Sequence, residues 1–534
     1  MLTTPTGSLD VSEQNAGSRG LSVTTRRRLL IAGIVALVTA AVVPRLGVQS
    51  LWTDEVFTIL PVLEARELRD LPTQVRTRDT HPPLSHAVLY LTRDLLPRSE
   101  LGWRLPSFVF VELGLLLLYA AVARAWNHRV ALIALIAAQV SPYLLFYSME
   151  ARNYALWFLT IAAAFYCMVR WAESLRDKMP ARTMWRWALL WSLANAAGLW
   201  THMFHVFAMA SQVLIAAVLA LRGTDRKQLA RGALTAIVAW SLATIAFAPW
   251  VFELFSRPGG LAGVGWARKP SVLGFAYYPF ALVFGSSLGP DLRALHGDSI
   301  EELLVRYGLV LTVAGAALLV IASAVMGIVR STWPDPRRRW ECVALVVAPA
   351  LCMLGPFAYV IATHFPLTPR HLLFAWPVLP VIVGVAALER PSLRAPLVGV
   401  VALMLLSSAN LLWNPQYYKD DERGAVQFAE AHSSAPAYVF GDVAPLYARS
   451  SEHLVGLFKQ AGRHPRFDVV PHDVWWIESR AWQGRSDRER LDRALLALGL
   501  RYEGAESRFH GVVLHHWRAV GDAAAGSGVD GASR

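Results

Sequence analysis

Apolar blocks recur along this chain, most about 17–22 residues long, the length that carries a helix across the hydrocarbon core of a bilayer. They fall at LLIAGIVALVTAAVV (29–43) and at roughly 105–123, 130–147, 154–171, 185–200, 203–221, 233–251, 304–329, 342–362, 371–388 and 395–412. Lipid offers no partner to a backbone N–H or C=O, so such blocks must satisfy themselves as helices. The pattern predicts an all-α polytopic membrane protein with about eleven transmembrane helices.

The polar segments between the blocks set the orientation. Arg26–Arg28 precede the first block, and RAWNHR (124–129), RWAESLRDKMPARTMWR (170–186), RGTDRKQLAR (222–231), RSTWPDPRRRW (330–340) and ERPSLR (389–394) fall on the same side when the spans alternate. Basic loops stay in the cytoplasm. The N-terminus is therefore expected inside, and the loops 48–103 and 252–303, the turns near 147–153 and 363–370, and the tail from 413 outside. Within the first outer loop, PLSHAVLYLTRDLLP (83–97) has helical spacing but is too short to span, which fits an interfacial helix.

After Trp413 the pattern changes. Short β-like runs (437–440, 466–470, 511–520) alternate with helix-like runs (422–431, 487–499), the signature of a small α/β domain. The expected organisation is a disordered cytoplasmic tail (1–25), a transmembrane domain (26–413), an extracytoplasmic α/β domain (414–520) and a disordered tail (521–534).

Composition agrees. Of 534 residues, 55% are hydrophobic and 17% charged, with a mean hydropathy of +0.38, where a soluble domain carries about 25% charged residues. The net charge of +12 sits in the short loops, with no basic stripe interleaved with aromatics, so nucleic acid is not an expected partner. Cys167, Cys342 and Cys352 all lie in apolar blocks and give neither a disulfide framework nor a zinc spacing.

Polar groups gather at the predicted outer ends of the spans: Asp54-Glu55, His81-Pro82-Pro83-Leu84, Glu150-Ala151-Arg152-Asn153-Tyr154 and Pro369-Arg370-His371, with His202 and His205 in WTHMFH as a weaker fifth. Each has a plain alternative. The acidic pair could cap a helix through its dipole, HPPL could be a rigid turn, Glu150 and Arg152 could pair in a tight turn, and Arg370 could snorkel to the interface. The two histidines fit closing a turn better than binding zinc, having no carboxylate partner in sequence. One shared explanation covers all four sites: a carboxylate deprotonates an incoming nucleophile, while arginine and histidine stabilise charge on a leaving phosphate.

At TDE (53–55), HPPL (81–84), RLPS (104–107), EARNYAL (150–156), PRHLLFAWPVLP (369–380) and YKDDERGAVQFAE (418–430), the chain resembles the glycosyltransferase-C superfamily. The likeness is to the branch holding protein O-mannosyltransferases and the lipid A aminoarabinose transferase. It implies transfer of a sugar from a polyprenyl-phosphate donor to a protein, lipid or glycan acceptor on the outer face of the cytoplasmic membrane, with inversion. By position it implies Asp54 as general base, Glu55 assisting, Glu150 as a second acid, and His81, Arg152, Arg370 and the weaker Arg104 as donor-phosphate ligands. It implies no cofactor, with a divalent cation at Asp54 and Glu55 as the alternative. Membrane lipids are the other expected partners. A flippase of lipid-linked sugars would place its ionisable groups at the midplane of inverted repeats. A non-catalytic assembly protein of the same fold would have no use for the acids.

Overall fold

Each of the eleven apolar blocks contains helix, but the helices differ in length and in how they are interrupted. The computed structural model describes residues 22–221, 225–256, 272–363, 367–434, 437–441, 443–447, 453–456, 472–479, 488–506 and 509–520. The expected tail 521–534, most of the tail 1–25 and the strand at 466–470 lie outside the described residues.

Taken by itself, the N-terminal unit holds one helix, α1 (Val23–Val42). The second unit begins with three short helices, α2 (Thr53–Glu64), α3 (Leu71–Arg78) and α4 (Leu84–Thr92). The helical run expected to 97 stops five residues earlier at Thr92. There follow α5 (Glu100–Ala125), α6 (His128–Gln139), α7 (Pro142–Ser148), α8 (Tyr154–Arg176), α9 (Ala181–Thr201), α10 (His205–Ala220), α11 (Arg226–Ser256), α12 (Val272–Phe284), α13 (Leu292–Gly297), α14 (Ile300–Thr332), α15 (Arg339–Cys342, running through a π turn), α16 (Ala348–Thr363), α17 (Val378–Glu389) and α18 (Arg394–Trp413).

Among the described residues, seven helical stretches are long and apolar enough to cross a membrane, or eight if α6 and α7 form one bent span. The protein is a multi-pass membrane protein. The difference from eleven has local causes. Ser141 caps α7 and Pro142 opens it, so the block at 130–147 breaks with a 64° bend. The apolar helices α10 and α17 have only 16 and 12 residues, and α9 opens with Arg182 and Arg186.

The membrane core is built around α5, α8 and α9. Gly114 of α5 lies so close to α8 that a Cβ there would come within 2.7 Å of the Phe158 ring. This close packing sets the N-terminal ends of α5 and α8, and with them Arg104 and the turn at 149–153, against α2.

Among the described residues, the C-terminal part forms a five-stranded sheet of order β2-β1-β3-β5-β4, with β1 Ala437–Phe440, β2 His453–Gly456, β3 Asp473–Ser479, β4 Leu500–Glu506 and β5 Val512–Ala519. β1 runs parallel to β2 and β3, while β5 is antiparallel to β3 and β4. α19 (Glu422–His432) covers one face, packing on Val439, Trp475 and Leu514; the helix Arg488–Leu496 covers the other, packing on Tyr438, Trp476 and Trp517. The sheet is tied to the membrane part near residues 47–51. Arg423 Nη1 donates to Glu100 Oε1 at 2.6 Å, Arg423 Nη2 to the Val48 carbonyl at 2.9 Å, and the Leu51 N–H to Tyr447 Oη at 2.7 Å.

Candidate active site

The two carboxylates of the TDE motif have different surroundings. Glu55 is fully buried in the first turn of α2. Arg104 Nε donates to its Oε1 at 2.8 Å and Arg104 Nη2 to its Oε2 at 2.7 Å. The Ala151 N–H donates to Oε1 at 2.8 Å and the Trp52 N–H to Oε2 at 3.3 Å. Burial alone would raise the Glu55 carboxyl, but the charges of Arg104 and Lys419, with hydrogen bonds from Arg104 and Ala151, outweigh it and bring it to about 2.

Arg104 has no donor left for a substrate. Its remaining N–H groups go to the carbonyls of Leu46, Gln49 and Ser50 at 2.8–2.9 Å, and the side chain is 1% exposed. The expected phosphate ligand at Arg104 is therefore a structural clamp that fixes the end of residues 46–50 on α2. Removing one member of such a pair strands a buried charge, at about 3–5 kcal/mol. Arg104→Met should lower thermal stability by that order, read as the melting temperature of the detergent-solubilised protein; an unchanged melting temperature would contradict the clamp. The Glu55 contribution is fully present above the ordinary value of 4.5 and is lost as pH falls through about 2.

Asp54, one residue earlier, turns the other way. Its side chain keeps 17% exposure, and Arg370 Nη1 donates to Oδ2 at 2.6 Å. Arg370 comes from the short turn Pro369–Leu372 before α17; its Nε donates to Thr368 Oγ1 at 3.1 Å. The guanidinium carbon lies 5.9 Å from the centre of the Tyr154 ring.

Arg152 braces this arrangement from below. Its Nη1 reaches the Asp54 carbonyl at 2.9 Å, Thr58 Oγ1 at 2.8 Å and Asp79 Oδ2 at 2.9 Å. Asp79 also holds His81, with Oδ1 2.6 Å from Nδ1. Burial raises the Asp79 carboxyl, but His81 and Arg152 oppose it and hold it well below the usual range. Burial, helped by Arg152 and Arg370 and opposed by Asp79, lowers His81. Arg152 is thus largely engaged with the protein, and its partner is Asp79 rather than the Glu150 two residues away.

Glu150 is 2% exposed and pairs instead with Lys419, 3.3 Å from its Oε1; the same ammonium lies 3.4 Å from Glu55 Oε2. Lys419 sits over Trp52 and Phe146, at 5.4 and 5.5 Å from the ring centres. Burial first, then the charges of Glu55 and Asp54, raise Glu150 against the pull of Lys419. Burial likewise lowers Lys419 against the pull of both glutamates.

The structure brings Asp54, Glu55, Glu150, His81, Arg152 and Arg370 into one neighbourhood and adds two groups not singled out from sequence. Asp79 lies two residues before the HPPL motif. Lys419 lies in YKDDER and is one of only five lysines in the chain. The alternative of a divalent cation at Asp54 and Glu55 does not fit their surroundings. Arg104 and the Ala151 N–H occupy the oxygens of Glu55, Arg370 occupies Asp54 Oδ2, and the next cation on Glu55 is Lys419.

His202 and His205 have different surroundings. His205 is satisfied on both nitrogens, by Trp157 Nε1–H at 3.1 Å and Asn195 Oδ1 at 2.9 Å, and closes the α9–α10 turn. A Cβ on Gly198, in the last turn of α9, would collide with the His205 ring, so the helix requires glycine there.

Comparison with known proteins gives a partial family match and a whole-chain fold match. The family model described as dolichyl-phosphate-mannose-protein mannosyltransferase matches residues 80–252, about a third of the chain. That stretch includes His81, Arg104, Glu150 and Arg152 and leaves out Asp54, Arg370 and Lys419. No curated protein matches the sequence. The crystal structure of ArnT from Cupriavidus metallidurans in the apo state superposes with a TM-score of 0.56 at 13% identity, covering 93% of this chain and 98% of that one. The same protein bound to undecaprenyl phosphate gives 0.56 and 13%, covering 91% and 98%. At that identity the likeness is one of fold.

Proposed function

We propose that this protein, with the fold of ArnT and a partial match to the protein mannosyltransferase family model, belongs to the glycosyltransferase-C superfamily and transfers a sugar from a polyprenyl-phosphate donor to an acceptor hydroxyl with Asp54 as general base. The observation that carries this reading is the division of labour in the acidic pair. Glu55 is closed off by Arg104, whereas Asp54 is the partly exposed carboxylate, and Arg370 touches it at 2.6 Å.

That contact supplies a way to move charge. Before reaction Arg370 balances ionised Asp54. Asp54 then takes the proton of the acceptor hydroxyl, the acceptor oxygen bonds to the anomeric carbon, and the bond from that carbon to the phosphate oxygen breaks with its electrons leaving on the phosphate. Asp54 ends neutral and the lipid phosphate gains one negative charge. Arg370 can follow the charge from one to the other without crossing low dielectric. Displacement in one step inverts the anomeric carbon.

His81, held by Asp79, lines the donor side, and Arg152 fixes the backbone of Asp54 in place. Lys419 compensates Glu55 and Glu150, so that with Arg370 the positive charge of the site comes from side chains and the reaction proceeds without a bound metal. Each buried CH₂ of a polyprenyl tail is worth about 0.8 kcal/mol, which keeps the donor in the bilayer and requires the acids at headgroup depth. The loop charges favour the outer face of the cytoplasmic membrane, with the N-terminus inside and the α/β domain outside. The acceptor is a protein, lipid or envelope glycan presented on that face.

Proteoliposomes loaded with a radiolabelled polyprenyl-phosphate sugar and supplied with envelope extract as acceptor test the reading. Cleavage to free polyprenyl phosphate with label passing to the acceptor is the expected result. Passage of the intact lipid across the bilayer without cleavage would identify a flippase and overturn it.

A further inference from the structure

His202 ends α9 in the turn WTHMFH, where its backbone N–H donates to the Gly198 carbonyl at 2.9 Å. The ring is 2% exposed and lies flat on Trp157, with centroids 4.1 Å apart and planes 9° apart. Its Nδ1 accepts the Phe204 N–H at 3.1 Å. A neutral imidazole that accepts at Nδ1 carries its proton on Nε2, so the second nitrogen is a donor and cannot serve as a base. Among the described residues that Nε2 has no hydrogen-bond partner, although it is buried. Buried donors are almost always satisfied, and an exception calls for an explanation, a water or a bound ligand among them.

The neighbours indicate what kind of partner. The His81 ring is 5.1 Å away, the Tyr154 ring 5.9 Å and the His371 ring 6.0 Å, centre to centre. Tyr154 in turn lies 5.9 Å from the guanidinium of Arg370. The carboxylates of this neighbourhood are engaged, Asp79 by Arg152 and His81 and Asp54 by Arg370. A ligand that meets this donor brings an acceptor oxygen, and the guanidinium of Arg370 beside Tyr154 favours one that carries negative charge. His205, in the same turn, has both nitrogens satisfied within the protein, so of the two histidines of this turn it is His202 that carries the unmet donor.

We propose that His202 donates its Nε2–H to a phosphoryl oxygen of the lipid-linked donor and of the lipid phosphate that leaves. The inference rests on the polyprenyl-phosphate reading above and adds a residue to it. Arg370 supplies charge to the phosphate, while neutral His202 supplies a fixed direction, because the Trp157 stack and the Phe204 N–H leave its ring no freedom to turn.

The test compares binding of a synthetic polyprenyl phosphate with binding of the polyprenol of the same length, using the purified full chain in nanodiscs, for wild type, His202→Phe and His202→Gln. Phenylalanine keeps the ring on Trp157 and removes the donor, while glutamine keeps an N–H. Wild type should prefer the phosphate. His202→Phe should weaken phosphate binding by about 10- to 100-fold, as for one hydrogen bond to a charged group, and leave polyprenol binding unchanged. His202→Gln should regain part of the loss. If His202→Phe prefers the phosphate as strongly as wild type, the inference fails while the reading of the site stands. Equal loss of both lipids, with a lowered melting temperature and no gain from glutamine, would mark His202 as structural and also overturn it. A wild type that does not distinguish phosphate from alcohol would remove the reading and the inference together.

Discussion

Asp54→Asn should lower the rate of sugar transfer by about 10²–10⁴-fold, the usual contribution of a positioned general base. Asparagine has the shape of aspartate and keeps an oxygen for Arg370, so donor binding should change little. The loss belongs in the chemical step, read by single-turnover quench of a labelled polyprenyl-phosphate sugar at saturating protein. Glu55→Gln is the informative companion. Glu55 is fully buried and bound by Arg104 through both oxygens. Its replacement should reduce folded yield and melting temperature, with the surviving protein retaining more activity than Asp54→Asn. The reverse order, a silent Asp54→Asn and a folded but inactive Glu55→Gln, would exchange the roles of the two acids.

Arg370→Met should cost about 10²–10³-fold in the same step, the scale seen when one stabilising donor is removed from a developing oxyanion. Arg370→Lys keeps the charge but not the guanidinium fork, and should fall between wild type and Arg370→Met. If Arg370 acts by following charge from Asp54 to the phosphate, Asp54→Asn and Arg370→Met are not independent, and the double variant should lose much less than the product of the two single losses. Fully multiplicative losses in the double variant would mean that the 2.6 Å contact is structural.

The sequence carried the helices and the grouping of the site, because both rest on local signals. Apolar length marks the spans, and TDE, HPPL, EARN and PRH each place a charged or imidazole group at a helix end. It did not carry the pairing. Arg104 stands 49 residues from Glu55, and only the packing of α5 on α2 reveals that all its N–H groups are occupied. Arg152 and Glu150 are close in sequence, yet the fold turns them apart, Arg152 to Asp79 and Glu150 to Lys419. Lys419 left a faint signal, a lysine in a chain that otherwise relies on arginine. A compact ammonium is a point charge that suits a place between two buried carboxylates. In the C-terminal part the runs at 437–440 and 511–520 are strands, while β3 (Asp473–Ser479) leaves no alternating signal in the sequence because DVWWIES is buried on both faces.

The proposed reaction is direct displacement of a lipid phosphate by an acceptor that Asp54 has deprotonated. The anomeric configuration of the transferred sugar tests it most directly, read by NMR of the product formed from a donor of defined configuration. Inversion is the predicted result. Retention would require a covalent sugar on the protein or a second displacement, and would contradict the role given to Asp54.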